Sequence, residues 1–301
     1  MKNIYLKSPY PYFGGKSRVA PLIWEGLGSV EHYIEPFAGS LAVLLANPKV
    51  PKMETINDKD CFIVNFWRSL VNNTDDLIKF IQYPVTETDL HARHRWLIEQ
   101  GTQEFINKLE TDPNYFDVKI AGWWVWGLSA SIGNNWLQPK GLKSLPIISY
   151  AGAGVHGTSL PIKEWLLSLQ ERTKKVRICC GDWKRIVSPA ITINNGGLSK
   201  EGITGIFLDP PYQIKGRDKV YKKELNIYEE VCQWAIENGN HPKLRIVVCG
   251  YEGFTFPENW SCIAWKANGG MANLGKGRGK DNASRERIYF SPYCIPTTKK
   301  E

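Results

Sequence analysis

The chain has 301 residues, 43% of them hydrophobic and 23% charged, with a formal net charge of +8 and a pI near 9.0. That is apolar material for one large domain or a domain with an insert. The basic balance favours polyanionic partners, although it also serves solubility. No apolar run reaches the length needed to cross a bilayer, and the seven cysteines show no CxxC spacing, which argues against metal ligation and for reduced core residues.

The first residues, MKNIYLKSPYPYFGGK, lack the apolar core of a signal peptide and imply a cytoplasmic protein. In PYFGGKSR, the two glycines permit a tight turn that presents Lys16, while Tyr12 offers a ring face. Lys16 there pairs with a cofactor carboxylate or is simply solvated. A strand is predicted over 32–37 and runs into EPFAGSLAVLLA, with a helix around 41–46. Gly39 lets the backbone approach a ligand, and the amides of the new helix can bind polar groups. A second short strand, 54–56, ends at Asn57-Asp58, about twenty residues beyond Gly39, where a carboxylate can accept hydrogen bonds from ribose hydroxyls. An ordinary strand, turn and helix with Asp58 as a cap is the plainer alternative. A helix follows around 61–71.

From 74 to 175 the strand–helix alternation stops, and this segment is read as an insert interrupting a domain made of 1–73 and 176–301. It carries HARHRW and WWVW clusters. Adjacent large aromatics usually bury, so Trp123, Trp124 and Trp126 are expected in a folding core. Arg93, Arg95, Lys140 and Lys143 are the candidates for contacts to a nucleic-acid backbone, with a solvated basic face as the alternative. GAGVHG, residues 152–157, matches GxGxxG but lacks the surrounding strand, helix and distant acid, so it is not read as a nucleotide site.

Strands are predicted again at 176–180, 206–208, 244–249, 263–265 and 287–290, with a helix around 225–237. The pattern implies an α/β fold with a mostly parallel central sheet. The strand before Asp209 exits through Pro210, Pro211 and Tyr212. Asp209 can accept a hydrogen bond from an exocyclic amine, the prolines fix a carbonyl that accepts another, and Tyr212 can stack on a planar base. Such a grip directs a nitrogen lone pair at a methyl donor by positioning alone. In the Gly-rich basic segment 266–287, Lys276 and Arg278 are the candidates to clamp phosphates, with a disordered segment without function as the alternative.

FGGK, EPFAGS, IND and LDPPY, in that order, resemble the Dam-like (D12 class) DNA adenine N6-methyltransferases of phages and prophages. The resemblance spans nearly the whole chain, including RICCGDW, LRIVVCGYEG and RERIYFSP. It implies a Rossmann-like methyltransferase fold with an inserted target-recognition region, and S-adenosylmethionine as donor with S-adenosylhomocysteine as product. It implies no metal, double-stranded DNA as substrate, a monomer or weak dimer, and a bacterial host. By the same resemblance, Tyr12 and Lys16 contact the cofactor, Glu35, Phe37, Ala38 and Gly39 shape its methionine and ribose pocket, and Asp58 takes the ribose. Asp182 and Trp183 meet its adenine, with a capping role for Asp182 as the alternative. Asp209, Pro210 and Tyr212 grip an adenine turned out of the duplex. Many relatives carry a second glycine or another small residue where Ser40-Leu41 stand here. The same fold acting on cytosine N4 or guanine N2, or a silent DNA-binding protein, are the rival readings.

Overall fold

The computed structural model describes residues 6–12, 15–131, 136–137, 145–147, 155–156, 161–211, 222–265 and 285–297, with backbone alone for 222–226. Seven strands form one sheet in the order β3-β2-β1-β4-β5-β7-β6. They are β1 (His32–Glu35), β2 (Met53–Asp58), β3 (Val176–Cys180), β4 (Thr204–Leu208), β5 (Leu244–Tyr251), β6 (Ser261–Ala264) and β7 (Glu286–Phe290). Every predicted strand is present. β1 runs parallel to β2 and to β4, and β4 parallel to β5, while β7 is antiparallel to β5 and β6. This is the mixed α/β, mostly parallel architecture of a Rossmann-like methyltransferase.

Burial explains the strand sequences. All four residues of β1 and all five of β4 are buried, as expected for parallel strands covered on both faces, and their sequences accordingly do not alternate. β6 is largely exposed and closes the sheet edge beside β7. The helix α1 (Ala20–Leu27) packs on β5 through a stripe including Ile23 and Leu27. It stops at Gly28, whose φ of 60° a β-carbon would penalise, and Arg245 Nη1 donates to the carbonyl of Leu27 at 2.6 Å.

The chain divides into two compact units. One comprises Met1–Lys16, Gly39–Ala46 and Asp58–Gly181; the other comprises Ser17–Ala38, Asn47–Asn57 and Asp182–Glu301. In the first, α2 (Ala42–Leu45), α3 (Cys61–Asn72), α4 (Thr74–Ile81), α5 (Glu87–Gln100), α6 (Gln103–Thr111), α7 (Val118–Ala130) and α8 (Ile162–Thr173) follow one another. Asp60, Asn73, Thr86, Thr102 and Asp117 cap five of these by accepting amide hydrogens of the first turn. α7, with the sequence VKIAGWWVWGLSA, is apolar on nearly every side because α3, α4 and α5 all pack on it. Gly122 and Gly127 have no side chain where Phe80 and the Trp136 indole press against the helix. In the second unit, α9 (Pro189–Thr192) and α10 (Lys222–Asn238) accompany the strands. Among the described residues of 74–175 the regular elements are all helices, a regularity that the clustered tryptophans hide from a periodicity reading.

Candidate active site

In the first unit, the end of β2 organises a loop. Asp58 Oδ2 accepts the amide hydrogen of Gly39 at 2.9 Å, and its Oδ1 accepts that of Asp60 at 3.0 Å. Asp60 in turn caps α3 by accepting from the Phe62 amide at 2.9 Å. Gly39 has a φ of 47°, and a β-carbon there would lie 2.6 Å from Cδ1 of Tyr12, so the aromatic ring rests directly on the glycine. The Tyr10 hydroxyl donates to the Gly39 carbonyl at 3.2 Å, and its ring packs edge-on against Phe66 and Trp124. The Gly15 amide bonds to the carbonyl of Tyr12 at 3.0 Å and closes the turn that leads to Lys16, which is only 4% exposed. A solvated Lys16 is therefore excluded. Phe13 and Gly14 lie outside the described residues.

Two departures from the sequence reading occur here. α2 is only four residues long, and its N-cap, Leu41, makes no side-chain cap, so the loop offers turn amides rather than a helix terminus. Leu41 also adopts a left-handed backbone, φ 61°, although it has a branched side chain and is fully buried. Holding a non-glycine residue in this conformation costs about 1–2 kcal/mol.

The electrostatics of this loop are dominated by burial. Burial raises the Asp58 carboxyl against the pull of its amide hydrogen bonds. Burial and the charge of Asp58 push Asp60 up to about 7. The phenols of Tyr10 and Tyr12 are raised by burial and by these carboxylates, so both stay protonated and able to donate.

In the second unit, β1 and β4 lie side by side, with Ile34 opposite Ile206. The strand order turns at this pair, and the carboxyl ends of such strands are where open α/β sheets bind ligands. Glu35 closes β1, is 2% exposed and accepts the Tyr33 hydroxyl hydrogen at 2.9 Å. The turn after it is tied to β2: the Ala38 amide donates to the Asn57 carbonyl at 3.0 Å, and Asn57 Nδ2 donates to the carbonyl of Pro36 at 3.1 Å. Sequence reasoning gave Asn57 no role of its own, although its place before Asp58 was the available signal. The Phe37 ring is 6.1 Å from that of Trp183, which meets Trp234 edge-on. Asp182 accepts from the Lys184 amide at 2.9 Å, the capping geometry, here on a 3-10 turn. Directly after β4, Asp209 is half-buried, Pro210 buried and Pro211 exposed; Tyr212 lies outside the described residues.

The basic candidates separate. Arg95 is exposed on α5, whereas Arg93 is 4% exposed. The Arg93 guanidinium sits over Trp126 at 4.1 Å, Tyr83 at 4.5 Å and Trp123 at 5.2 Å. A cation boxed by three rings is a core element and not a surface phosphate contact, which corrects the expectation for Arg93. Trp124 and Trp126 are buried in the core as expected. Lys140, Lys143, Lys276 and Arg278 lie outside the described residues. A cavity of about 410 Å³ in this unit is lined by Tyr83, His156, Ile162 and neighbours, and by none of the residues assigned to cofactor or target base. Among the described residues there is no group of three or more His, Cys, Asp or Glu that could hold a metal ion, and no helix long and apolar enough to cross a membrane.

Residues 12–117 match the family model described as D12 class N6 adenine-specific DNA methyltransferase. No curated protein matches the chain. The matched stretch starts at Tyr12 and takes in Lys16, the Glu35–Gly39 segment and Asp58, while Asp182, Trp183 and Asp209 follow it in the chain. Over that stretch the chain is similar to the D12 class N6 adenine-specific DNA methyltransferases, the Dam-like family that its motif order resembles.

Proposed function

We propose that the chain methylates N6 of an adenine turned out of double-stranded DNA, with S-adenosylmethionine as the donor. The observation that carries this reading is the neighbouring pair β1 and β4. The Glu35 turn and Asp209 leave adjacent parallel strands at their carboxyl ends, where the strand order turns. The residues that the motif order assigns to the cofactor fit such a group. Gly39 lacks the β-carbon that would collide with Tyr12, Lys16 is buried, and Asp58 is held by amides with lone pairs to spare. In the first unit these are Tyr12, Lys16, Gly39 and Asp58; in the second they are Glu35, Phe37, Ala38, Asp182 and Trp183. When bound, the cofactor supplies a methyl group activated on a positively charged sulfur.

The chain's own residues supply position. The N6 lone pair of adenine is drawn into the ring, and hydrogen bonds from the amine to Asp209 and to the Pro210 carbonyl localise it on nitrogen. As N6 gains positive charge, the Asp209 carboxylate stabilises it and can hold the departing proton. Pro210 and Pro211 keep that carbonyl from turning away, and Tyr212 supplies the stacking face. Turning the base out costs a few kcal/mol, which the recognition region 74–175 and its Arg95, with Lys140, Lys276 and Arg278, offset through backbone contacts. The same reading makes the protein a cytoplasmic, phage- or prophage-encoded enzyme of restriction-modification type, acting as a monomer or weak dimer without metal.

Asp209→Ala abolishes methyl transfer to plasmid DNA and leaves S-adenosylmethionine binding within about threefold of the wild type. Digestion of the wild-type product to nucleosides yields N6-methyl-2′-deoxyadenosine; N4-methyl-2′-deoxycytidine or N2-methyl-2′-deoxyguanosine in its place, or an active Asp209→Ala protein, defeats the reading.

A further inference from the structure

Two thiols with no part in methyl transfer face each other in the first unit. Cys61 is the first residue of α3 and Cys180 the last of β3; their sulfurs are 3.3 Å apart across 119 residues of sequence. Both are half-buried, unlike Cys232, Cys249 and Cys294, which are buried. α3 packs on β3, so the fold brings the two residues into one neighbourhood. Each thiol also adjoins a backbone link to Asp58. Asp60, just before Cys61, donates its amide to the Asp58 carboxylate. Gly181, just after Cys180, donates its amide to the Asp58 carbonyl at 3.1 Å.

We propose that Cys61 and Cys180 are a reversible modification site, oxidised to a disulfide by low-molecular-weight disulfides of the glutathione class, and that its closure disturbs the Asp58 loop. The Cys61 thiolate attacks one sulfur of the small disulfide, whose S–S bond breaks and releases a first small thiolate. Cys180 then loses its proton and attacks Cys61 Sγ, forming the protein S–S bond and releasing the second. Two protein thiols are oxidised by two electrons, one small disulfide is reduced to two thiols, and the two thiol protons pass to the released thiolates.

The 3.3 Å contact, in which either sulfur could be the donor, sets the two thiols apart. It holds the Cys61 thiol below its ordinary value, against burial and the charges of Asp60, Glu110 and Asp58, while the same bond and burial drive Cys180 far up. One sulfur therefore ionises first, and the other stands beside it to resolve the mixed disulfide. Bond formation requires the sulfurs to close by about 1.2 Å, drawing the start of α3 and the end of β3 together at the residues that pin Asp58. The disulfide stands on this geometry alone; only its effect on S-adenosylmethionine binding rests on the function proposed above.

The test treats the full chain with oxidised glutathione, alkylates the remaining thiols, digests it and searches by mass spectrometry for the Cys61–Cys180 peptide. The expected result is that linked peptide, lost on reduction and absent from Cys61→Ser and Cys180→Ser. In calorimetry, S-adenosylmethionine affinity falls about threefold or more on oxidation and returns on reduction, while Cys61→Ser is indifferent to the oxidant. Only glutathionylated Cys61, or a link to Cys179 in place of Cys180, overturns the site. Unchanged affinity in the linked protein overturns the coupling to the loop. If the reduced protein binds no S-adenosylmethionine, the functional reading fails, and the peptide still decides the thiol proposal.

Discussion

Asp58 and Asp60 stand two residues apart at the end of β2, and the charge on one opposes the charge on the other. Burial is the larger effect, and with the charge of Asp58 it pushes Asp60 up to about 7, well above its unfolded value near 4. The sign of the consequence is definite. The folded protein binds the proton more tightly than the unfolded chain, so this group favours the fold at low pH, and its contribution is lost as pH rises from about 4 to about 7. Asn caps a helix about as well as Asp, so Asp60→Asn keeps the cap and removes the titration. Urea midpoints measured across that window should show the variant gaining on the wild type as pH rises; parallel profiles would place the cause elsewhere. Gly39 is constrained more simply. Gly39→Ala puts a side chain at a φ of 47° and against Tyr12, costing about 1–2 kcal/mol of stability. Since Tyr12 must move, S-adenosylmethionine binding should weaken by about tenfold in calorimetry.

At the scale of elements, α5 carries two arginines with opposite fates. Arg93 and Arg95 are two positions apart, so a helix turns them about 200° from one another. Arg93 enters the box of Tyr83, Trp123 and Trp126, and Arg95 faces solvent. Arg93→Ala removes both the cation and the packing of its stem, and denaturant titration should register a loss of about 2 kcal/mol or more. Arg95→Ala should leave stability within about 0.5 kcal/mol but lower DNA affinity and reduce its salt slope by about one. A drop in stability for Arg95→Ala of the same size as for Arg93→Ala would contradict this division of roles. Trp124 of α7 packs against the rings of Tyr10 and Phe62, which ties that helix to the Gly39 loop within one compact unit.

For the whole molecule, a formal charge of +8 predicts binding to DNA that is strong at low salt and falls steeply as salt rises. Raising salt from about 50 to about 200 mM should cost about tenfold or more in DNA affinity measured by fluorescence anisotropy. S-Adenosylmethionine binding, assigned by the proposed function to buried groups, should change far less over the same range. Comparable salt sensitivity of the two ligands would mean that the charge acts on the cofactor loop and not on a DNA backbone.

The local chemistry of the chain was legible in its sequence: seven short apolar runs became seven strands, and EPFAGS, IND and LDPPY sit at strand ends because glycine, proline and acidic residues terminate strands locally. So was the expectation that Trp124 and Trp126 lie in a core, although Trp123 is only half-buried. Three things were decided only by tertiary structure. Arg93 looked like a phosphate contact because its sequence neighbours are basic, but helix rotation and three rings distant in sequence bury it. Asn57, unremarkable in sequence, ties the Pro36–Ala38 turn by bonds that exist only when β1 and β2 pair. Cys61 and Cys180, 119 residues apart, meet because α3 packs on β3. Sequence carries the preferences of each backbone segment, whereas a side chain's neighbours, and hence its charge, burial and reactivity, are set by which segments the fold brings together.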